Sequence, residues 1–301
     1  MKAIDQSLSL EGYAPPARPL LVGRKFSEAF GWGGSIFPPR ELAEEPGYSG
    51  LVLMAKAQRW YEQCYGNQLK IAPGFGSVPV RLGNALWRMR TIGIYGQVEL
   101  FASRDLMNDG VRLASATVNA SHNVLRSIDD LPQGLANRLT DVELSQLLAF
   151  FLLAQDTLSW FHGVQEANKL FPVAQADFEQ CTEDILARRY PQACAAAQLA
   201  AEKVVKGFLG CGGTKYPTGG KLGHDLLHLG ELLRKRHEIG ISEELLKNAS
   251  CPSGVRYANE PASEERAQKA NHAVLVILCQ LKVNPKTASL LNTRTQNEAK
   301  A

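Results

Sequence analysis

The run RRYPQACAAAQLAAEKVVKGFL, residues 188–209, decides the fold. Ala193, Ala197, Ala200, Ala201, Val204, Val205 and Phe208 recur every three or four residues, which puts them on one stripe of a helix. Gln198, Glu202, Lys203 and Lys206 fall off that stripe. The alanines let a neighbouring helix approach closely. Pro191 suits a first helical turn, where its missing N–H costs no internal bond, while Gly210, Gly212 and Gly213 stop the helix. Downstream, the loop TKYPTGGKLG (214–223) leads into a helix carrying Leu226, Leu229, Leu232 and Leu233. A last helix, 263–281, carries Ala267, Ala270, Val274, Ile277, Leu278 and Leu281. Short loops between amphipathic helices imply an antiparallel bundle.

Upstream, Thr140 or Asp141 can accept from the free N–H groups of a first turn, Glu143 completes a capping box, and LSQLLAFFLLAQDTLSWF (144–161) follows. This helix is expected to reach about His162. The stretches 87–104 and 106–128 are read as mostly helical, 71–82 as strand and turn, and 51–65 as a strand passing into a helix. Residues 1–48 carry Pro15, Pro16, Pro19, Pro38, Pro39 and Pro46, and proline at that density predicts a loop-rich arm. The expected organisation is an arm over 1–48, a mostly helical domain with short strands over 49–168, a helical bundle over 176–283 and a polar tail over 284–301. The fold class is mainly α.

A chain of 301 residues, 45% hydrophobic and 21% charged, has the composition of an ordinary globular protein. Its net charge of +3 gives no strong global field, so binding to nucleic acid would need a local patch. No apolar run reaches the roughly 18 residues of a membrane span, and MKAIDQSLSLEGYAPPARPL lacks the apolar core of a signal peptide. No membrane association and a cytoplasmic location are expected. The six cysteines contain no CxxC pair and are read as buried or incidental thiols.

In the order and spacing of its motifs, the second half resembles the HEPN family. The resemblance rests on Ala201-Glu202-Lys203 with Lys206 on the long helix, His224-Asp225-Leu226 opening the next, and Arg256-Tyr257 before the last. It implies a helical bundle that forms a homodimer, and two alternative activities. Many members are metal-independent ribonucleases of toxin–antitoxin and anti-phage systems, in which an Arg and a His four to six residues later meet their symmetry mates. Others, with the HDL and RY pattern present here, are regarded as nucleotide-binding or accessory modules. Arg256 is followed by YANEPASEER, with no histidine at the nuclease spacing. The one downstream match is Arg266 with His272, and residues six apart on a helix stand about 120° from one another.

The catalytic candidates are therefore Arg256, Arg266 and His272: imidazole moves protons near neutral pH, and a fixed cation stabilises the charged phosphate. The ligand-binding candidates are Lys203, Lys206, His224, Arg256 and Tyr257, with Lys215 and Lys221 of the glycine-rich loop nearby. The expected ligand is a nucleotide or RNA. His224 and His228 have zinc-binding spacing, but HDLLH carries Asp where a zincin has Glu, and no third ligand is evident, so His224-Asp225 is read as helix cap and interhelix contact. No metal or cofactor is expected. GCGGTKYPTGGKLG lacks the order of a phosphate-binding P-loop. In the N-terminal half, Arg59, Arg81, Arg88, Arg90 and Arg104 interleave with Trp60, Tyr61, Trp87 and Tyr95. A rim of arginines around an aromatic core is preferred there over an RNA-stacking face. No family is recognised in this half; its expected role is to hold a protein partner or to recognise a trigger.

Overall fold

The computed structural model describes residues 1–13, 15–31, 38–66, 74–94, 98–107, 112–114, 117–256 and 259–298. The protein is mainly α, with a few short strands. Residues 1–73 and 74–301 form two compact units.

The first unit contains α1 (Lys2–Leu10), α2 (Arg18–Phe30) and α3 (Gly50–Tyr65). Leu8, Val22, Ala57 and Tyr61 are buried together. Beside them the Arg18 guanidinium reaches Asp5 at 3.3 Å and the Tyr65 hydroxyl at 3.0 Å, a local network that ties all three helices. The expected loop-rich arm is thus partly helical. Its prolines are confined to 15–19 and 38–46, which leaves 2–10 free to coil, and Pro19 stands in the first turn of α2, where proline fits. Segment 51–65 is helical throughout, without the leading strand.

The second unit opens with β1 (Ser77–Leu82) and β2 (Ala85–Arg90), an antiparallel pair that confirms strand and turn near 77–82. β3 (Val98–Phe101), β4 (Arg112–Ala114) and β5 (Thr117–Asn123) form a second sheet in the order β3-β5-β4. The helix expected over 87–104 and 106–128 is not found among the described residues, which form short strands, loop and one 3-10 turn (Val124–Ser127). β2 is held as a strand by its pairing with β1, whose Val78, Val80 and Leu82 are buried at every second position, and Trp, Val and Thr favour such a pleated surface over a helix.

Then come α4 (Gln133–Ala136), α5 (Asp141–Gly163), α6 (Leu170–Leu186), α7 (Tyr190–Cys211), α8 (Gly220–Gly223), α9 (Leu226–His237), α10 (Glu243–Ala249), α11 (Ser253–Arg256), α12 (Glu264–Val283) and α13 (Pro285–Glu298). The capping box of α5 is present: Thr140 Oγ1 accepts from the Glu143 N–H at 3.2 Å, and Glu143 accepts from the Thr140 N–H at 2.7 Å. Most of the segment expected as a polar tail is α13, whose Thr287 is buried.

The core of this unit lies between α5, α6, α7 and α12. Phe151, Phe161, Phe171, Phe178 and Phe208 are completely enclosed, each burial stabilising the fold by roughly 1.5–3 kcal/mol. Phe171 packs on Phe208 at 4.9 Å between ring centres. Gly207 makes that contact possible, since a Cβ there would stand 2.3 Å from the Phe171 ring. β1 is fastened to α6 by Glu179, which accepts from the Ser77 N–H and hydroxyl, both at 2.8 Å. Gly76, at φ +139°, leaves room for that carboxylate, from which a Cβ would stand 2.4 Å. Among the described residues no single helix is long and apolar enough to cross a membrane.

Candidate functional site

Four polar side chains of α7, Cys194, Gln198, Glu202 and Lys206, follow one another at intervals of four and so share one face of the helix. All four are buried. Buried polar groups need partners, and each step of this ladder supplies one from another element. Lys206 Nζ donates to Glu202 Oε1 at 2.7 Å and lies 5.9 Å from the centre of the Tyr216 ring. The other oxygen of Glu202 meets His224 Nδ1 at 3.0 Å. Gln198 donates to the His224 carbonyl at 2.9 Å and accepts from the Cys251 N–H at 2.7 Å, joining the entrance of α9 to that of α11. Asp225 caps α9, accepting from the N–H groups of Leu227 and His228.

The cations of the site differ sharply in how far their charge is met. Lys206 is held by Glu202, and Lys203 forms an ion pair with Asp177 of α6. Arg256 and Arg266 have no carboxylate partner among the described residues. Arg256 Nη2 is sealed from solvent and has no hydrogen-bond acceptor among the described residues. Arg256 and Arg266 both act on the Cys251 thiol, and Arg266 also hydrogen-bonds to the Cys194 thiol. Burial pushes the Cys251 thiol up while Arg256 and Arg266 oppose it, and the Cys194 thiol is likewise raised by burial and opposed by Arg266.

His272 stands elsewhere on α12, edge-on to Phe150 of α5 at 5.6 Å and 83°. Within one chain Arg266 therefore faces Cys194 of α7, His272 faces α5, and the two do not converge. Tyr257 lies outside the described residues. Among the described residues no group of three His, Cys, Asp or Glu side chains is arranged to hold a metal ion. The N-terminal arginines are engaged: Arg59 with Glu44, Arg81 with Glu264, Arg88 with Glu183, Arg90 with Asp129 and Arg104 with Asp141.

His272 is exposed, yet partial desolvation of its ring against Phe150 lowers its pKa. The unfolded chain takes up that proton near pH 6.5 and the folded chain only at lower pH, so His272 makes stability fall as pH drops through this window. His272→Gln is expected to show a smaller slope of urea midpoint against pH between 7.5 and 5.5 than the wild type. An unchanged slope would mean that the ring protonates freely in the folded protein.

Sequence reasoning found Lys206, Glu202 and His224 but missed Gln198, the two thiols beside the arginines, and Phe150. The four-residue spacing of Cys194, Gln198, Glu202 and Lys206 was the available signal. Residues 167–283 match the family model of the HEPN domain. No curated protein and no solved structure matches the chain.

Proposed function

We propose that this chain uses its HEPN domain as a binding module for a phosphate-bearing ligand, a nucleotide or RNA, with the phosphate held by Arg256 and Arg266. The observation that carries this reading is the buried Arg256 Nη2, which has no acceptor among the described residues. A guanidinium desolvated without a partner is costly, and a phosphate oxygen admitted by a shift of the chain covering Nη2 would satisfy it with a charge-assisted hydrogen bond. Lys203 and Lys206 already have carboxylates, so their part is to hold α6, α7 and the His224 turn in place around the ligand. The resemblance supports a homodimer and a setting in prokaryotic defence or toxin systems.

Endoribonuclease action is the second reading, favoured by the presence of Arg266 and His272 on one helix. Because they diverge within the chain, cleavage would need a second copy to complete each site. Calorimetry of the full chain with a nucleotide panel and short RNA is expected to show binding that Arg256→Met and Arg266→Ala weaken. Silence across the panel overturns the binding reading. Cleavage of labelled RNA in EDTA that His272→Ala abolishes would instead establish the nuclease.

A further inference from the structure

A groove of about 590 Å³ lies between β1, α5 and α12, some distance around α12 from the thiols. Its apolar wall is Val80, Leu82, Leu147 and Phe150, and His272 stands on Phe150 at its α12 side. Three amide side chains, Gln146, Gln268 and Asn271, line the same space. Gln268 donates to Glu264 at 3.0 Å, which leaves its carbonyl oxygen able to accept. Flat apolar surfaces with a few amide groups at the edge suit a planar heteroaromatic ring better than a sugar or an aliphatic chain.

The groove is continuous with the arginine region. Glu265 and Lys269 line it and also line a neighbouring cavity that contains Arg266 and Ser263. Arg266, Lys269 and His272 descend α12 in steps of three, a row that winds round the helix and covers about 9 Å of its axis. That is the scale separating the phosphate of one nucleotide from its base. Arg266 and Lys269 have no carboxylate partner among the described residues, and His272 ends the row beside Phe150. Two other charged groups of the groove are already engaged, Arg81 with Glu264 and Glu143 in the cap of α5.

We propose that this groove is a nucleobase pocket: a nucleotide lays its base against Phe150 and His272 and its phosphate at Lys269 and Arg266. The inference rests on the phosphate reading of Arg266. It goes further in giving β1 and α5, which lie outside residues 167–283, a direct part in recognition. A nucleotide is thereby distinguished from inorganic phosphate by residues that the HEPN match does not include.

The test is calorimetry of the full chain with AMP, GMP, CMP, UMP and inorganic pyrophosphate. Phe150→Leu is expected to weaken the best nucleotide about tenfold or more while leaving pyrophosphate unchanged, because base stacking is lost and phosphate contacts are kept. Gln146 is exposed, so Gln146→Trp fills the groove without disturbing the core and is expected to block nucleotides selectively. Arg266→Ala weakens both ligand classes. Nucleotide affinity unchanged in both groove variants overturns the pocket and leaves the phosphate reading standing. Nucleotide binding that Gln146→Trp removes but Arg266→Ala does not would uphold the groove as the base site and overturn its link to the arginine.

Discussion

Glu202→Gln is expected to lower the stability of the folded protein by about 3–5 kcal/mol, because it leaves a lysine charge buried without its counter-ion. The Lys206 and Glu202 side chains are 8% and 7% exposed, so neither charge is compensated by water. Glutamine keeps the shape and a carbonyl acceptor but cannot neutralise the ammonium group. It also removes the carboxylate that holds His224 at 3.0 Å. The pair itself is not the source of the loss, since desolvating two ions offsets much of their attraction. The double variant Glu202→Gln with Lys206→Met should therefore recover most of the stability. Urea unfolding of the two single variants and the double one measures this directly. For comparison, Glu243→Gln breaks the Lys247 pair, whose side chains are 71% and 60% exposed, and should cost under about 1 kcal/mol. A Glu202→Gln protein as stable as wild type would mean that Lys206 is hydrated or neutral in the fold.

The same pair shows what a sequence can and cannot disclose. The four-residue spacing of Glu202 and Lys206 makes their pairing legible, but not that the pair is buried or that His224 shares the carboxylate. Those facts depend on α9 arriving over α7, which is a tertiary event. Helices α5, α7 and α12 were legible because apolar spacing, a capping box and glycine stops all agree over long windows. The strands between Ala85 and Asn123 were not, since runs of three to seven residues with mixed spacing fit either period. In the N-terminal unit, proline density was read across the whole arm, although a proline dictates only its own neighbourhood and leaves 2–10 untouched. At the site, Arg256, Arg266 and His272 could be named from residue type. Which of them converge, and which cations find a carboxylate, follows only from packing.

Arg256→Met is expected to stabilise the unliganded protein and, at the same time, to remove ligand binding. Arg256 Nη2 is enclosed without an acceptor among the described residues, and an unsatisfied buried donor costs about 1–3 kcal/mol, more when it is charged. Methionine keeps an unbranched apolar stem of similar reach and carries no donor, so packing is preserved while the penalty disappears. A higher urea midpoint should result. Binding moves the other way, because a lost charge-assisted hydrogen bond of about 1.5–3 kcal/mol weakens a phosphate ligand about ten- to a hundredfold. The opposite signs separate a ligand-binding arginine from a structural one. Lys203→Met supplies the contrast: it removes the partner of Asp177, whose side chain is 21% exposed, and should lower stability. If Arg256→Met loses stability as Lys203→Met does, its guanidinium supports the turn between α11 and α12, and the phosphate site must be sought elsewhere.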